Sequence, residues 1–243
     1  MFIESLKDQQ EIFGDYLFEE IQTKSNTVYP EGTIDTHSSK KIEVELNNNL
    51  FHEEFQNANS LEELNSIIHD CQNCALGKTR NKFVFGVGNP NSIAMLIGEA
   101  PGADEDVQGE PFVGRAGKLL NDILKALNLK REDVYIANIL KCRPPNNRDP
   151  LPSEEETCKP YLIKQIELIK PKIILCLGRV AANALLGKKL SLTDLRENIY
   201  DLEGIKVFAT YHPAALLRNP NWKRGCWEDF QKFKKIYDEL SVN

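Results

Sequence analysis

The chain has 243 residues, with 30 Lys+Arg against 36 Asp+Glu and a formal net charge of −6. Hydrophobic residues make up 41% and charged residues 27%, the balance of a globular chain that buries a core, which excludes disorder throughout. No apolar run reaches membrane-helix length, no signal core follows the N-terminus, and six cysteines are too few for a secreted disulfide scaffold, so the sequence predicts a cytoplasmic protein with no membrane partner.

Residues 1–60 carry four Lys+Arg and twelve Asp+Glu, a net of −8; the other 183 residues carry 26 against 24, a net of +2. Within this acidic N-terminal extension Ile12, Phe13, Tyr16, Leu17 and Ile21 recur at helical spacing. They predict a short amphipathic helix over residues 3–22, either a docking helix or a motif for a protein partner. Thr23 to Ser60 is rich in Asn, Ser, Thr, Glu and Lys and reads as a linker or disordered arm. The organised part spans residues 61–243. Ser60-x-x-Glu63 makes a capping box that opens a helix through about Asp70.

From there the pattern alternates. Apolar runs predict buried parallel strands at Ser92 to Gly98, Val134 to Leu140, Ile173 to Gly178 and Val207 to Tyr211. Helices are predicted over Gly117 to Leu127, over Glu154 to Lys170 behind a Ser153-x-x-Glu156 box, over Val180 to Leu186 before Gly187, and over Trp222 to Leu240. Strands alternating with helices call for right-handed crossovers and a parallel sheet covered on both faces, which binds ligands beyond the carboxyl ends of its strands.

Three strand ends deliver a carboxylate, an amide and an imidazole to one rim. The first strand runs into Gly98-Glu99-Ala100-Pro101-Gly102, the second into Asn138-Ile139-Leu140-Lys141-Cys142-Arg143-Pro144-Pro145, and the fourth into His212-Pro213-Ala214-Ala215-Leu216-Leu217-Arg218. Taken singly, Glu99 reads equally as a solvated loop acid, Asn138 as a turn amide and His212 as a packed histidine. Their convergence argues for a site.

The cysteines supply a separate signal. Cys71-x2-Cys74 follows the first helix, Cys142 follows the second strand, and Cys158 falls in the first turn of a helix. One close pair with two scattered thiols suits an iron–sulfur cluster at least as well as zinc, and spacing alone leaves the two balanced. Cys176, inside an apolar strand, reads as a core residue, and Cys226 has no visible pair.

Together, Gly98-Glu99-Ala100-Pro101-Gly102, the four cysteines, Lys141 to Pro145 and His212 to Arg218 resemble a family-4 uracil-DNA glycosylase, the iron–sulfur class of that superfamily. The resemblance covers about residues 61–240 and leaves the acidic extension unexplained. It implies a three-layer α/β/α sandwich with a central four-stranded parallel sheet, and a monomeric enzyme that excises uracil from DNA and leaves an abasic site. It further implies a [4Fe-4S] cluster on Cys71, Cys74, Cys142 and Cys158 that is structural and not an electron donor.

Residue roles follow from that resemblance where they match its motifs. Phe112 corresponds to the aromatic that stacks on the extruded base, and its alternative is a core aromatic that anchors a loop. Asn138 has one donor and one acceptor side, matching the Watson–Crick edge of uracil and mismatching cytosine. His212 corresponds to the donor to O2 of the departing uracil, and Glu99 to the carboxylate that positions water or stabilises a cationic sugar. Ala100 stands where family-1 enzymes have an aspartate. The Glu105 region is the expected wall against the methyl group of thymine. Leu216 and Leu217 resemble the wedge that fills the hole in DNA, with packing under the last helix as the alternative; Arg218 and Arg143 belong to a basic rim for phosphate.

Two rivals remain at this level. A binder that traps uracil-DNA covalently is disfavoured because Gly114-Arg115-Ala116-Gly117-Lys118 runs straight into a helix, without the basic, histidine-bearing insertion such proteins have. A non-catalytic or redox iron–sulfur module has no need of Glu99, Asn138, Phe112 and His212.

Overall fold

The computed structural model describes residues 54–242. The helix expected over 3–22 and nearly all of the linker therefore lie outside the described residues. Among the described residues before Ser60, Phe55 and Ala58 are buried against the domain, and the Phe55 ring meets Tyr161 edge-on at 4.9 Å between centroids.

In chain order the elements are α1 (Leu61–Ile68), β1 (Val87–Gly88), β2 (Ala94–Gly98), α2 (Ala103–Gln108), α3 (Arg115–Ala126) and β3 (Tyr135–Asn138). They continue with α4 (Pro152–Ile169), β4 (Ile173–Leu177), α5 (Arg179–Leu186), α6 (Leu192–Glu197), β5 (Tyr200–Leu202), β6 (Ile205–Thr210), α7 (Pro213–Arg218) and α8 (Lys223–Ser241). The strands form one sheet in the order β1-β3-β2-β4-β6-β5. The four central strands are parallel, as their apolar runs predict.

The sheet is nevertheless wider than the four strands expected, and it is mixed. β1 pairs antiparallel with β3, and β5 pairs antiparallel with β6. Both edge strands are too short to show a period of two. β5 folds back through Glu203-Gly204, whose φ values of 52° and 88° form a tight two-residue hairpin turn. Short antiparallel edges of this kind close the sheet against further pairing.

Strand alternation sends side chains to two separate cores. Met95, Ile97, Tyr135, Ala137, Ile174, Cys176, Val207 and Ala209 pack with α1, α4, α5 and α6. Leu96, Ile136, Leu175, Leu177 and Phe208 face the other way, onto α3, α7 and α8. The three-layer sandwich follows from this partition. Cys176 and Cys226 are both buried core residues.

Ser60 caps α1 as predicted, its hydroxyl accepting from the Glu63 N–H at 3.1 Å. The start of α4 differs from the Ser153 box. Pro152 presets the first helical turn, so the N-cap is Leu151, and Glu154 reaches back to its N–H at 2.9 Å. Arg148 grips the same carboxylate at 2.7 and 2.9 Å, which lowers the Glu154 pKa and fixes the approach to the helix that carries Cys158.

Candidate active site

The rim is built where β2, β3 and β6 end. Gly98 and Asn138 are partners in the parallel ladder, and the ladder continues past the strands as Ile139 N–H donates to Gly98 O and Leu140 N–H to Glu99 O. Asn138 is only 2% exposed, and its Oδ1 is a buried acceptor with no hydrogen-bond partner among the described residues. Such a group costs free energy unless a donor meets it. Gly98 leaves the space: a Cβ there would lie 2.4 Å from Asn138 Oδ1 and 2.7 Å from Phe112 Cζ.

Phe112 is buried and its ring lies 5.5 Å from that of His212, centroid to centroid, at an angle of 34°. His212 is the N-cap of α7, and its Nδ1 accepts from the Ala214 N–H at 3.1 Å. The neutral ring must therefore carry its proton on Nε2. Burial pulls its pKa down to about 4, with Arg218 reinforcing and Glu105 opposing. At neutral pH His212 is thus an uncharged donor through Nε2. Gly178, at φ 102°, lets α5 begin against this ring, since a Cβ would sit 3.2 Å from His212 Cβ.

Burial also pushes the Glu99 carboxyl up to about 7, with Asp149 and Glu155 adding to the shift and Arg179 opposing it. Ala100, half-buried, packs on the first core and offers no polar group. Glu105 directs its carboxylate to backbone: it accepts from Gly102 N–H at 3.1 Å, Val113 N–H at 2.9 Å and Gly114 N–H at 3.0 Å. It thereby ties the Gly102 turn to the 112–114 loop.

The two leucines separate. Leu216 is 0% exposed and belongs to the second core, so its side chain takes the packing alternative and not the wedge. Leu217 is 40% exposed beside the exposed Arg218. Arg143 is half-buried and donates to Asn147 Oδ1 at 2.8 Å.

Cys142 and Cys158 are buried, Cys71 and Cys74 half-buried, and all four are free thiols. Burial raises Cys142 to about 11, and that thiol also senses Cys71 and Cys74; Cys158, raised to about 12, senses Cys142 and Cys71. The four therefore share one neighbourhood. Two donors point at sulfur: Lys141 N–H at Cys158 Sγ, 3.3 Å, and Arg80 Nη1 at Cys142 Sγ, 3.4 Å. Among the described residues no group of three or more His, Cys, Asp or Glu converges as a single metal ion requires. Four cysteines from three segments, with N–H groups aimed at two of the sulfurs, are a donor set that would suit an iron–sulfur cluster, which takes them as thiolates. Beside them a groove of about 560 Å³ is lined by His69, Arg80, Lys82 and Phe83, away from the rim.

For two residues a positioning role is visible only in the structure. Arg196 on α6 donates to Asp229 at 2.7 Å, to Tyr211 Oη at 3.0 Å and to Gly225 O at 2.9 Å, fixing the residue before His212. Lys141, fully buried, donates to Asn138 O at 2.9 Å and Gln165 Oε1 at 2.6 Å. Asp229 lies 33 residues from Arg196 and Gln165 lies 24 from Lys141, beyond any local pattern.

Comparison with known proteins gives this arrangement its family. Residues 85–240 match the model of the uracil DNA glycosylase superfamily. The chain is 45% identical over 185 residues to a type-4 uracil-DNA glycosylase of Archaeoglobus fulgidus, covering 73% of this chain and 93% of that protein. Type-4 uracil-DNA glycosylases of Saccharolobus solfataricus and Thermotoga maritima are 47% and 45% identical, each over 72% of this chain and over 85% and 95% of their own. The chain belongs to the uracil-DNA glycosylase superfamily, and its likeness runs with the type-4 members of it.

Proposed function

We propose that the protein is a DNA repair glycosylase that hydrolyses the N-glycosidic bond of deoxyuridine in DNA, releasing uracil and leaving an abasic site. The observation that carries this reading is the buried Oδ1 of Asn138, without a partner among the described residues, at a Gly98 site shared with Phe112, whose ring faces an uncharged His212. Uracil presents N3–H and O4 side by side. Asn138 Oδ1 accepts the first and its amide donates to the second, whereas cytosine presents the opposite pair. Phe112 stacks on the extruded base. As the C1′–N1 bond breaks, negative charge gathers on the uracil ring, and Nε2–H of His212 donates to O2, where it stabilises the transition state more than the ground state. Glu99, ionised, stabilises the cationic sugar and orients the water whose oxygen adds to C1′. Leu217 is the side chain of α7 available to fill the hole left in the stack, with Arg218 and Arg143 on phosphate.

Cys71, Cys74, Cys142 and Cys158 would hold a [4Fe-4S] cluster. When bound, such a cluster supplies a structural tie between the loop after α1, the segment after β3 and the start of α4. The same reading makes the protein a cytoplasmic monomer of two parts, an acidic extension over 1–60, whose Phe55 and Ala58 pack on the domain, and a glycosylase domain over 61–243, with the extension docking a protein partner. No helix among the described residues is long and apolar enough to cross a membrane.

The decisive experiment is excision from oligonucleotides carrying one uracil, with thymine and cytosine controls. Uracil strands alone should become alkali-labile, and His212→Ala and Asn138→Ala should each lower the rate at least about a hundred-fold with visible absorption of the protein intact. Cleavage that survives both changes assigns the chemistry elsewhere, and a DNA adduct on a denaturing gel would mark a trapping protein.

A further inference from the structure

Phe112 is a bulky aromatic held at φ 54°. L side chains adopt this left-handed region rarely and at a cost, so the surroundings must impose it. What imposes it is visible on both sides of the residue. On the carbonyl side Arg131 Nη1 donates to Phe112 O at 3.2 Å, and its Nη2 donates to Pro111 O. On the amide side Glu105 Oε1 accepts from Val113 N–H and Gly114 N–H at 2.9 and 3.0 Å. Two side chains of opposite charge thus hold consecutive backbone groups that flank the strained residue. The Phe112 carbonyl also lies against α3, where a Cβ on Gly117 would come within 1.9 Å of it.

The ring gains its place from this clamp. With its backbone left-handed, Phe112 turns over Gly98, against which Asn138 Oδ1 also lies, and toward His212. We propose that Arg131, paired with Glu105, is the positioning residue that sets Phe112 for stacking on the extruded base. Arginine suits the task because its planar fork spans two successive carbonyls, which a lysine ammonium does not. A direct phosphate role is disfavoured by the acids around it: Glu110, Glu132 and Glu105 all act on the Arg131 charge. Arg131 sits 19 residues from Phe112 and touches none of the groups assigned to uracil recognition except through that backbone.

This inference rests on the stacking role of Phe112 given above, and its test separates the two. The probe is free uracil, measured as a competitive inhibitor of excision by the metal-loaded protein, alongside binding of an oligonucleotide with an abasic site. Phe112→Ala and Arg131→Gln should each weaken uracil inhibition about ten-fold, the scale of one lost base stack. The double variant should be no weaker than Phe112→Ala alone to within about two-fold, because Arg131 acts through Phe112. Abasic DNA should bind Arg131→Gln as it binds the parent protein. Additive losses, an equal loss on abasic DNA, or unaltered uracil inhibition in Arg131→Gln would each overturn the clamp. If Phe112→Ala itself leaves uracil inhibition unaltered, the pocket assignment fails instead. Should Arg131→Gln not fold, Arg131→Lys keeps the charge, drops the fork and carries the same expectations.

Discussion

Glu99 and His212 sit on one rim yet titrate in opposite directions, and burial is the first cause of both shifts. The carboxyl is pushed up to about 7 and the imidazole pulled down to about 4, because burial disfavours the charged form of each. Above pH 4 the histidine is already a neutral donor, so the proposed mechanism gives the acidic limb of the rate profile to Glu99. With the ionised carboxylate as the working form in the proposed mechanism, kcat/KM on a single-stranded uracil oligonucleotide should rise with pH through about 7. Asp149→Asn removes a neighbouring negative charge and should move that midpoint to lower pH. Arg179→Gln removes a positive one and should move it higher. A profile whose midpoint ignores both changes would take the limb away from Glu99.

At the scale of elements, α7 divides its work between two adjacent residues. Leu216 lies in the core under α8 and Leu217 in solvent. Leu216→Ala should therefore cost about 3 kcal/mol of stability by leaving a cavity. Leu217→Ala should hold stability within about 0.5 kcal/mol while slowing excision from duplex DNA more than from single strands, where no stack has to be refilled. Thermal melts and matched rate assays read the two apart. The cysteine segments form a second such unit: α1 leads to Cys71 and Cys74, β3 to Cys142, and α4 carries Cys158 near its start. Cys71→Ser should lose iron and visible absorption and lower the melting temperature; a colourless native protein with zinc in it would replace the cluster assignment. The Arg148–Glu154 pair then explains why the 148–154 loop holds both the start of α4 and Asp149 near Glu99.

Over the whole molecule, the net charge of −6 hides its own distribution, −8 on residues 1–60 and +2 on the rest. An acidic chain would ordinarily repel DNA, but the repulsion is concentrated in the extension. Because Phe55 and Ala58 are buried, a truncation that preserves the domain must stop at residue 53. Such a protein should keep full excision activity on uracil oligonucleotides. If the extension competes with phosphate for the basic rim, its removal should tighten DNA binding at low salt and leave it unaltered at high salt, where screening has already weakened that competition. Equal affinities at low salt would restrict the extension to docking.

The sequence by itself determined the layered sheet, because strands buried on both faces must be continuous apolar runs, as at β2, β4 and β6. It also pointed to the side chains at the rim, since Glu99, Asn138 and His212 each stand at or just past the end of a strand that can be read locally. The edge strands β1 and β5 escaped it, being shorter than any period, as did the true cap of α4, which Pro152 moved to Leu151. Tertiary structure alone decided that Leu216 points inward and Leu217 outward, that Glu105 is spent on backbone N–H groups, and that Arg131 holds Phe112. Each of these depends on which distant atoms the fold brings within hydrogen-bond or packing distance. A local pattern records the periodicity of one segment and carries no information about the partner that segment will meet.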